Sequence, residues 1–255
     1  MEQTESVAPQ STTPHLHRLA DFEAALQDYH LSPDAQQTLD SIRLTILVGP
    51  SSSGRNTIIN RLVATGRYHF VISDTTRPPR VNNGVLETEG VEYWFRTEDD
   101  MLADIQAGKF LEAEVIHQQQ VSGVSIRELE KSRNEHRVAI TDLDIGGISN
   151  VIRLKPDTAA ILILPPSFDE WQRRLKQRGR MSDAEWRRRI ETALRIFSAP
   201  HRHGEDVFKV VVNDDLEAAV QCVDTIATTG TFDPELQQKG LRLANELYTA
   251  TKSLL

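Results

Sequence analysis

A chain of 255 residues is long enough for one or two domains and for a core that needs neither disulfides nor metals, which excludes a peptide hormone, a fibre and a bare linker. With 39% hydrophobic and 26% charged residues and a net charge of −8, it reads as a soluble globular protein not coated for nucleic acid. The single Cys222 can close no internal disulfide, so a reducing, cytoplasmic setting is expected. No membrane partner is expected either: the longest apolar run, residues 159–164, is far short of the ~20 residues of a bilayer span, and the N-terminus lacks the blocks of a signal peptide.

Residues 1–14 are rich in Gln, Ser, Thr and Pro and predict a disordered tail. Leu19, Phe22, Leu26 and Tyr29 recur at helical spacing, and Ser32 before Pro33 and Asp34 reads as the N-cap of a second short helix reaching Leu39. The β-branched run 44–48 predicts a strand that ends at Gly49, and residues 57–64 are patterned as a helix. Further strands are predicted at 70–73, 91–95, 138–143, 159–164 and 208–212. Four runs, at Leu44, Val138, Ala159 and Phe208, are nearly continuous, as in parallel strands buried on both faces; 91–95 reads as a half-exposed antiparallel strand. Asp233-Pro234 opens a terminal helix. The expected division is an N-terminal tail with short helices (1–40), a main α/β domain (41–230) and a C-terminal helix (231–255), with a parallel core and a small inserted β region.

Charge is distributed unevenly. Residues 171–202 hold ten basic and three acidic side chains, a local +7 that leaves −15 on the remainder. Such a stretch is either a solvated Arg-rich helix face or a site for a compact polyanion such as a nucleotide.

The segment Gly49-Pro50-Ser51-Ser52-Ser53-Gly54-Arg55-Asn56-Thr57 has the length and placement of G-x-x-x-x-G-K-[ST], the strand-to-helix loop whose amides cradle phosphates. The signature lysine is Arg55, which keeps the charge but is planar and longer. The Mg-ligating hydroxyl position is Asn56, with Thr57 one residue late. Alone, the loop reads equally as an ordinary turn.

Other motifs accompany it. Ser73-Asp74-Thr75-Thr76-Arg77-Pro78-Pro79-Arg80 is similar to S-x-T-T-R-x-P-R, and Gly90-Val91-Glu92-Tyr93-Trp94-Phe95 to G-x-x-Y-x-F. Then come Phe110-Leu111-Glu112, Asp142-Leu143-Asp144, Leu164-Pro165-Pro166-Ser167, Arg173-Arg174-Leu175 with Arg178-Gly179, Arg189-Ile190, and Val212-Asn213-Asp214-Asp215. In this order they resemble the guanylate kinase family from Arg43 to about Ala227. The resemblance implies a P-loop NTPase-type fold, a parallel sheet flanked by helices, with an inserted small β-rich acceptor-binding region and a helical lid.

It also implies roles. Gly49, Ser51, Ser52, Ser53, Gly54, Arg55, Asn56, Thr57 and Asn213 would hold ATP. Arg77, Arg80 and Tyr93 would hold the acceptor phosphate through two guanidinium forks and a phenol. Glu112 and Ser73, with Asp142 or Asp144, would read the guanine edge, where a carboxylate accepting from N1–H and the exocyclic amine separates guanine from adenine. Ser122 stands at a further acceptor position. Arg174, Arg178 and Arg189, with Arg55, would converge on the transferred phosphoryl group, where cations do most of the catalytic work. Asn56, Thr57 and Asp142 are the candidate Mg²⁺ ligands, Asp142 as the carboxylate at the end of a buried strand. His201-x-His203 lacks a third metal ligand at workable spacing.

The departures from the family pattern are Arg55 and Asn56 at the donor end and, at the acceptor end, Gln120-Val121-Ser122-Gly123-Val124 in place of N-Y-Y-G-[ST], so that a phosphate-binding tyrosine has become Ser122 and a hydroxyl position Val124. The expected activity is transfer of the ATP γ-phosphoryl group to GMP or dGMP with Mg²⁺. The alternatives are an inactive module of the same fold that binds a nucleotide or phosphopeptide, and a kinase of another small phosphorylated acceptor.

Overall fold

The computed structural model describes residues 15–82, 84–177, 179 and 181–254. In chain order its elements begin with α1 (Leu19–Gln27), α2 (Pro33–Asp40), β1 (Leu44–Val48), α3 (Arg55–Ala64), β2 (Tyr68–Phe70), β3 (Asp74–Thr75), β4 (Val81–Asn82), β5 (Val85–Leu86) and β6 (Trp94–Phe95). They continue with α4 (Glu98–Gln106), β7 (Phe110–Ile116), β8 (Gln120–Ser125), α5 (Ile126–Asn134), β9 (Val138–Asp142), α6 (Ile148–Leu154) and β10 (Ala159–Leu164). The last are α7 (Phe168–Gln177), α8 (Asp183–Phe197), α9 (Ala199–His203), β11 (Lys209–Val212), α10 (Leu216–Thr229) and α11 (Pro234–Lys252). They fall into two units, one of residues 15–32 with 72–124 and one of 33–71 with 125–254.

In the larger unit five parallel strands are ordered β11-β10-β1-β9-β2. All five residues of β1 are buried, as its unbroken apolar run requires. Alternate residues serve opposite faces: Leu47, Ile140, Ile161, Ile163 and Val211 join Ile58 and Leu62 of α3 and Val223 and Ile226 of α10 in one apolar cluster. Burial of each such side chain is worth about 1.5–3 kcal/mol. The Tyr68 hydroxyl, 2.6 Å from Asp224 Oδ1, ties β2 to α10.

The edge strand β11 is covered by α11. Gln237 accepts a hydrogen bond from Val210 N (2.9 Å) and donates to Phe208 O (2.8 Å), so the side chain pairs backbone groups that an edge would leave open. Gly240 permits the approach: a Cβ there would stand 2.6 Å from Val210 O. Gly240→Val is therefore expected to pry α11 off the sheet at a cost of about 1–3 kcal/mol, overriding any gain in helix propensity. Thermal unfolding of the variant measures it.

In the smaller unit the sheet order is β6-β3-β8-β7, beside a separate β4-β5 hairpin. Helices α1 and α4 bury Phe22, Met101, Leu102 and Ile105 with Phe110 and Val121 of the sheet, so the apolar stripe at Leu19, Phe22 and Leu26 is spent within this unit. The Tyr29 hydroxyl donates to Phe110 O (2.5 Å) and accepts from Phe110 N (2.7 Å), which fixes the end of α1 on β7.

Two predicted strands differ from the structure. Only Trp94–Phe95 of 91–95 is strand, and it pairs parallel with β3; Val91 is in a turn, its N–H bonded to Thr88 O. The run at 70–73 is divided, pairing with β9 ending at Phe70 and β3 starting at Asp74 in the other sheet. Apolar alternation cannot show where a chain changes sheets.

Candidate active site

The switch in strand order lies at β1, between β9 and β10, where open α/β sheets bind ligands beyond their carboxyl ends. A cleft of about 610 Å³ opens there, lined by residues 50–57 and by Asp142, Arg174 and Asn213. Gly49 follows β1 so closely that a Cβ would stand 2.6 Å from Ile163 O. Ser52 (φ 67°) and Gly54 (φ 97°) take left-handed backbone, the second at no steric cost because it is glycine. The loop is then pinned by side chains from elsewhere: Asn213 Nδ2 donates to Ser53 O (2.8 Å), and Trp171 Nε1 donates to Ser51 O (2.9 Å). It delivers the chain into α3 at Arg55, so the positive end of that helix faces the cleft. Among the described residues the buried hydroxyls of Ser52 and Ser53 have no partner. A ring of amides, a helix N-terminus and cations around one concavity can neutralise a polyphosphate.

Two cations line this cleft with the loop. Arg55 Nη1 lies 3.2 Å from Asp142 Oδ2 at the end of β9. Arg174 on α7 is held by Glu170, which accepts from its Nε at 2.7 Å, and its Nη2 donates to Asn213 O at 3.2 Å. Hydrogen bonds from Arg173 and Arg174 pull the Glu170 carboxyl down to about 2, so both arginines keep an ionised partner across the physiological range. Asn56 and Thr57 are exposed in the first turn of α3 and also line the cleft.

The other candidates of this unit stand differently. Arg189 on α8 is not among the lining residues; Glu185 accepts from its Nε and Nη2 at 3.1 and 2.5 Å, while its Nη1 is buried without a partner among the described residues. Arg178 lies outside the described residues. Asp144 is exposed and accepts from Ile145 N. Asn213 is buried, with its amide spent on the loop.

The smaller unit carries Ser73, Arg77, Arg80, Tyr93, Glu112 and Ser122. Arg77 is not an open fork. Its two terminal nitrogens bond both oxygens of Glu87 at 2.5 and 2.9 Å, with the side chains 7% and 6% exposed. Its guanidinium also stands 4.7 Å from the Tyr93 ring centroid and 5.9 Å from that of Phe95. Arg80 is exposed, and among the described residues its side chain donates only to Gln120 Oε1, at 3.1 Å. The Ser122 hydroxyl donates to Thr75 Oγ1 at 2.8 Å, and Ser73 accepts Trp94 N through its carbonyl. Glu112 is half-buried on β7, and Val124 is fully buried.

Sequence reasoning missed Glu87 and Trp171. Glu87 lies ten residues from its arginine across a hairpin, and nothing in its neighbourhood marks it as buried. Trp171 opens the basic stretch and, at helical spacing with Leu175, reads as core.

The profile of the family described as guanylate kinase matches residues 41–229. The guanylate kinase of Corynebacterium efficiens is 34% identical over 187 residues, covering 72% of this chain and 94% of the relative. That of Salinibacter ruber is 37% identical over 180 residues, covering 70% and 91%. The crystal structure of guanylate kinase from Anaplasma phagocytophilum, 21% identical, covers 87% of this chain and 96% of its own with a TM-score of 0.53, a likeness of fold. A phosphate-type loop at the sheet's switch point, cations from α3 and α7, and this similarity over nearly the whole length of the relatives lead to one conclusion: the chain belongs to the guanylate kinase family.

Proposed function

We infer that the protein transfers the γ-phosphoryl group of ATP to GMP, giving ADP and GDP. The observation that carries this is the cleft at the end of β1, where loop amides, Arg55 and Arg174 face one space. Phosphoryl transfer needs little covalent help from protein; fixed cations and amides that offset charge on the equatorial oxygens supply the rate. Arg55 and Arg174 serve that role from within the cleft. Arg189, with a buried Nη1 lacking a partner among the described residues, is suited to join them when a phosphate oxygen comes within reach.

On the acceptor side, exposed Arg80 is the open cation for the GMP phosphate, with Tyr93 and Ser122 as uncharged donors. Glu112 suits the guanine N1–H and amine. Arg77 contributes by holding Tyr93 in place, its own charge being matched by Glu87.

The donor set of the cleft fits Mg²⁺: Asp142, Asn56 and Thr57 offer a carboxylate, an amide carbonyl and a hydroxyl, all oxygens suited to a hard cation that also keeps water and phosphate ligands. When bound, the ion offsets charge on the β- and γ-phosphates. Asp142 is paired with Arg55 in this structure, so the carboxylate is oriented towards the loop before any nucleotide arrives. A reducing, cytoplasmic setting suits the lone Cys222. Among the described residues no helix is long and apolar enough to cross a membrane.

Release of ADP from ATP, followed with each nucleoside monophosphate in turn, tests the reading. GMP is expected to support turnover, and AMP, CMP and UMP little. Binding of ATP with no turnover on any monophosphate would favour the inactive binding module, for which the Arg55 and Asn56 substitutions speak.

A further inference from the structure

A second cleft of about 710 Å³ lies in the larger unit, away from the loop, between the end of α8, α9 and the terminal helix α11. None of its lining residues is shared with the nucleotide cleft. One wall, from Gln238 to Tyr248, belongs to a helix outside the stretch that matches the family. The space is a groove half open to solvent beside the packing of α8 on α11, of a size that holds a small molecule.

Its chemistry is two-sided. The floor is apolar, from Phe197 and Ala244, both 2% exposed, with half-buried Leu194, Leu241 and Tyr248. The rim is cationic, from Arg195, Arg202 and Arg242. Among the described residues none of these three has a carboxylate within ion-pair distance, so their charge is left for an occupant of the cleft. Arg202 is held over the cleft by donating to Arg195 O at 2.5 Å, and Glu205 is the only acid lining the space. We propose that this cleft binds a small amphipathic organic anion, its flat apolar body on Phe197, Leu241 and Tyr248 and its acidic head on the Arg202 and Arg242 forks. Arg195, Leu194 and Phe197 lie on the same helix as Arg189, so an occupant would brace that helix against α11.

The probe is anilinonaphthalene sulfonate, with phenylnaphthylamine as its neutral counterpart, titrated by fluorescence into the full chain with ADP and GMP saturating the nucleotide sites. One equivalent of the sulfonate is expected to bind. Its Kd should rise about tenfold in Arg202→Gln/Arg242→Gln, while binding of the neutral compound stays within twofold. In a separate Tyr248→Trp variant, the new indole should transfer energy to the bound sulfonate. The proposal is overturned if the nucleotides displace the sulfonate, if neutralising the arginines leaves its Kd unchanged or weakens both probes alike, or if no energy transfer from position 248 is seen.

Discussion

Arg174→Met is expected to lose roughly 10²- to 10³-fold in kcat while its thermal unfolding temperature stays within a few degrees of the parent. The side chain is partly exposed and its partner Glu170 keeps Arg173, so folding has little to lose. The reaction has more at stake. Arg174 is one of two described arginines that line the cleft at the end of β1. Its Nε is anchored on Glu170 and its Nη2 on Asn213 O, and its Nη1 makes no bond among the described residues, leaving one tooth of the fork for the reacting phosphate. An interaction made only as charge develops lowers kcat and kcat/KM together and leaves the KM for ATP nearly alone. Steady-state kinetics with ATP varied at saturating GMP separates this from a loop-support role. If Arg174 served only to hold Asn213, and through it Ser53, the variant would show a raised KM for ATP and a preserved kcat.

The strand, loop and helix that form that cleft were legible in the sequence because their parts are local. A buried β-branched run, glycines at the ends of a six-residue turn and an amphipathic segment specify strand, loop and helix with little help from elsewhere, and they place Gly49 and Gly54 where only a glycine escapes a clash. The parallel core was legible for the same reason: Leu44, Val138, Ala159 and Phe208 begin apolar runs with no polar face. What the sequence hid is pairing over distance. Nothing local shows that Asn213 closes on Ser53 across 160 residues, that Trp171 pins Ser51, or that Arg55 meets Asp142. Isolated arginines in a motif read as free charge. Arg189, tied to Glu185 one helical turn earlier, and Arg77, tied to Glu87 across a hairpin, show that such cations are often matched by an acid; the first pair follows helical spacing, while the second depends on a turn geometry that no periodicity encodes. The covering of β11 by Gln237 was likewise invisible, since an amide on a helix surface has no pattern that marks it as a backbone partner.

Arg77 gives the sharpest contrast between a motif and its surroundings. If it were the open phosphate fork that its Thr-Thr-Arg context suggests, Arg77→Met would raise the KM for GMP and leave stability alone. The structure leads to the opposite order of effects. Glu87 is 6% exposed and has both oxygens on the Arg77 guanidinium, with one oxygen also accepting from Arg80 N at 2.9 Å. Removing the cation leaves a buried carboxylate without its counter-charge, a loss that typically costs about 3–5 kcal/mol. For a chain of this size that corresponds to a fall in unfolding temperature on the order of 10 °C. Arg77→Met/Glu87→Leu removes both charges, and because the stranded carboxylate is the expensive part, the double variant should regain more than half of the loss. Arg80→Met serves as the contrasting case: among the described residues its exposed guanidinium has only Gln120 as a side-chain partner, so it should weaken GMP binding and leave unfolding unchanged. Thermal unfolding of the three variants, read with their KM for GMP, tests this order; a single Arg77→Met variant as stable as the parent would show that the pair with Glu87 contributes no stability and that Arg77 is free to serve the acceptor.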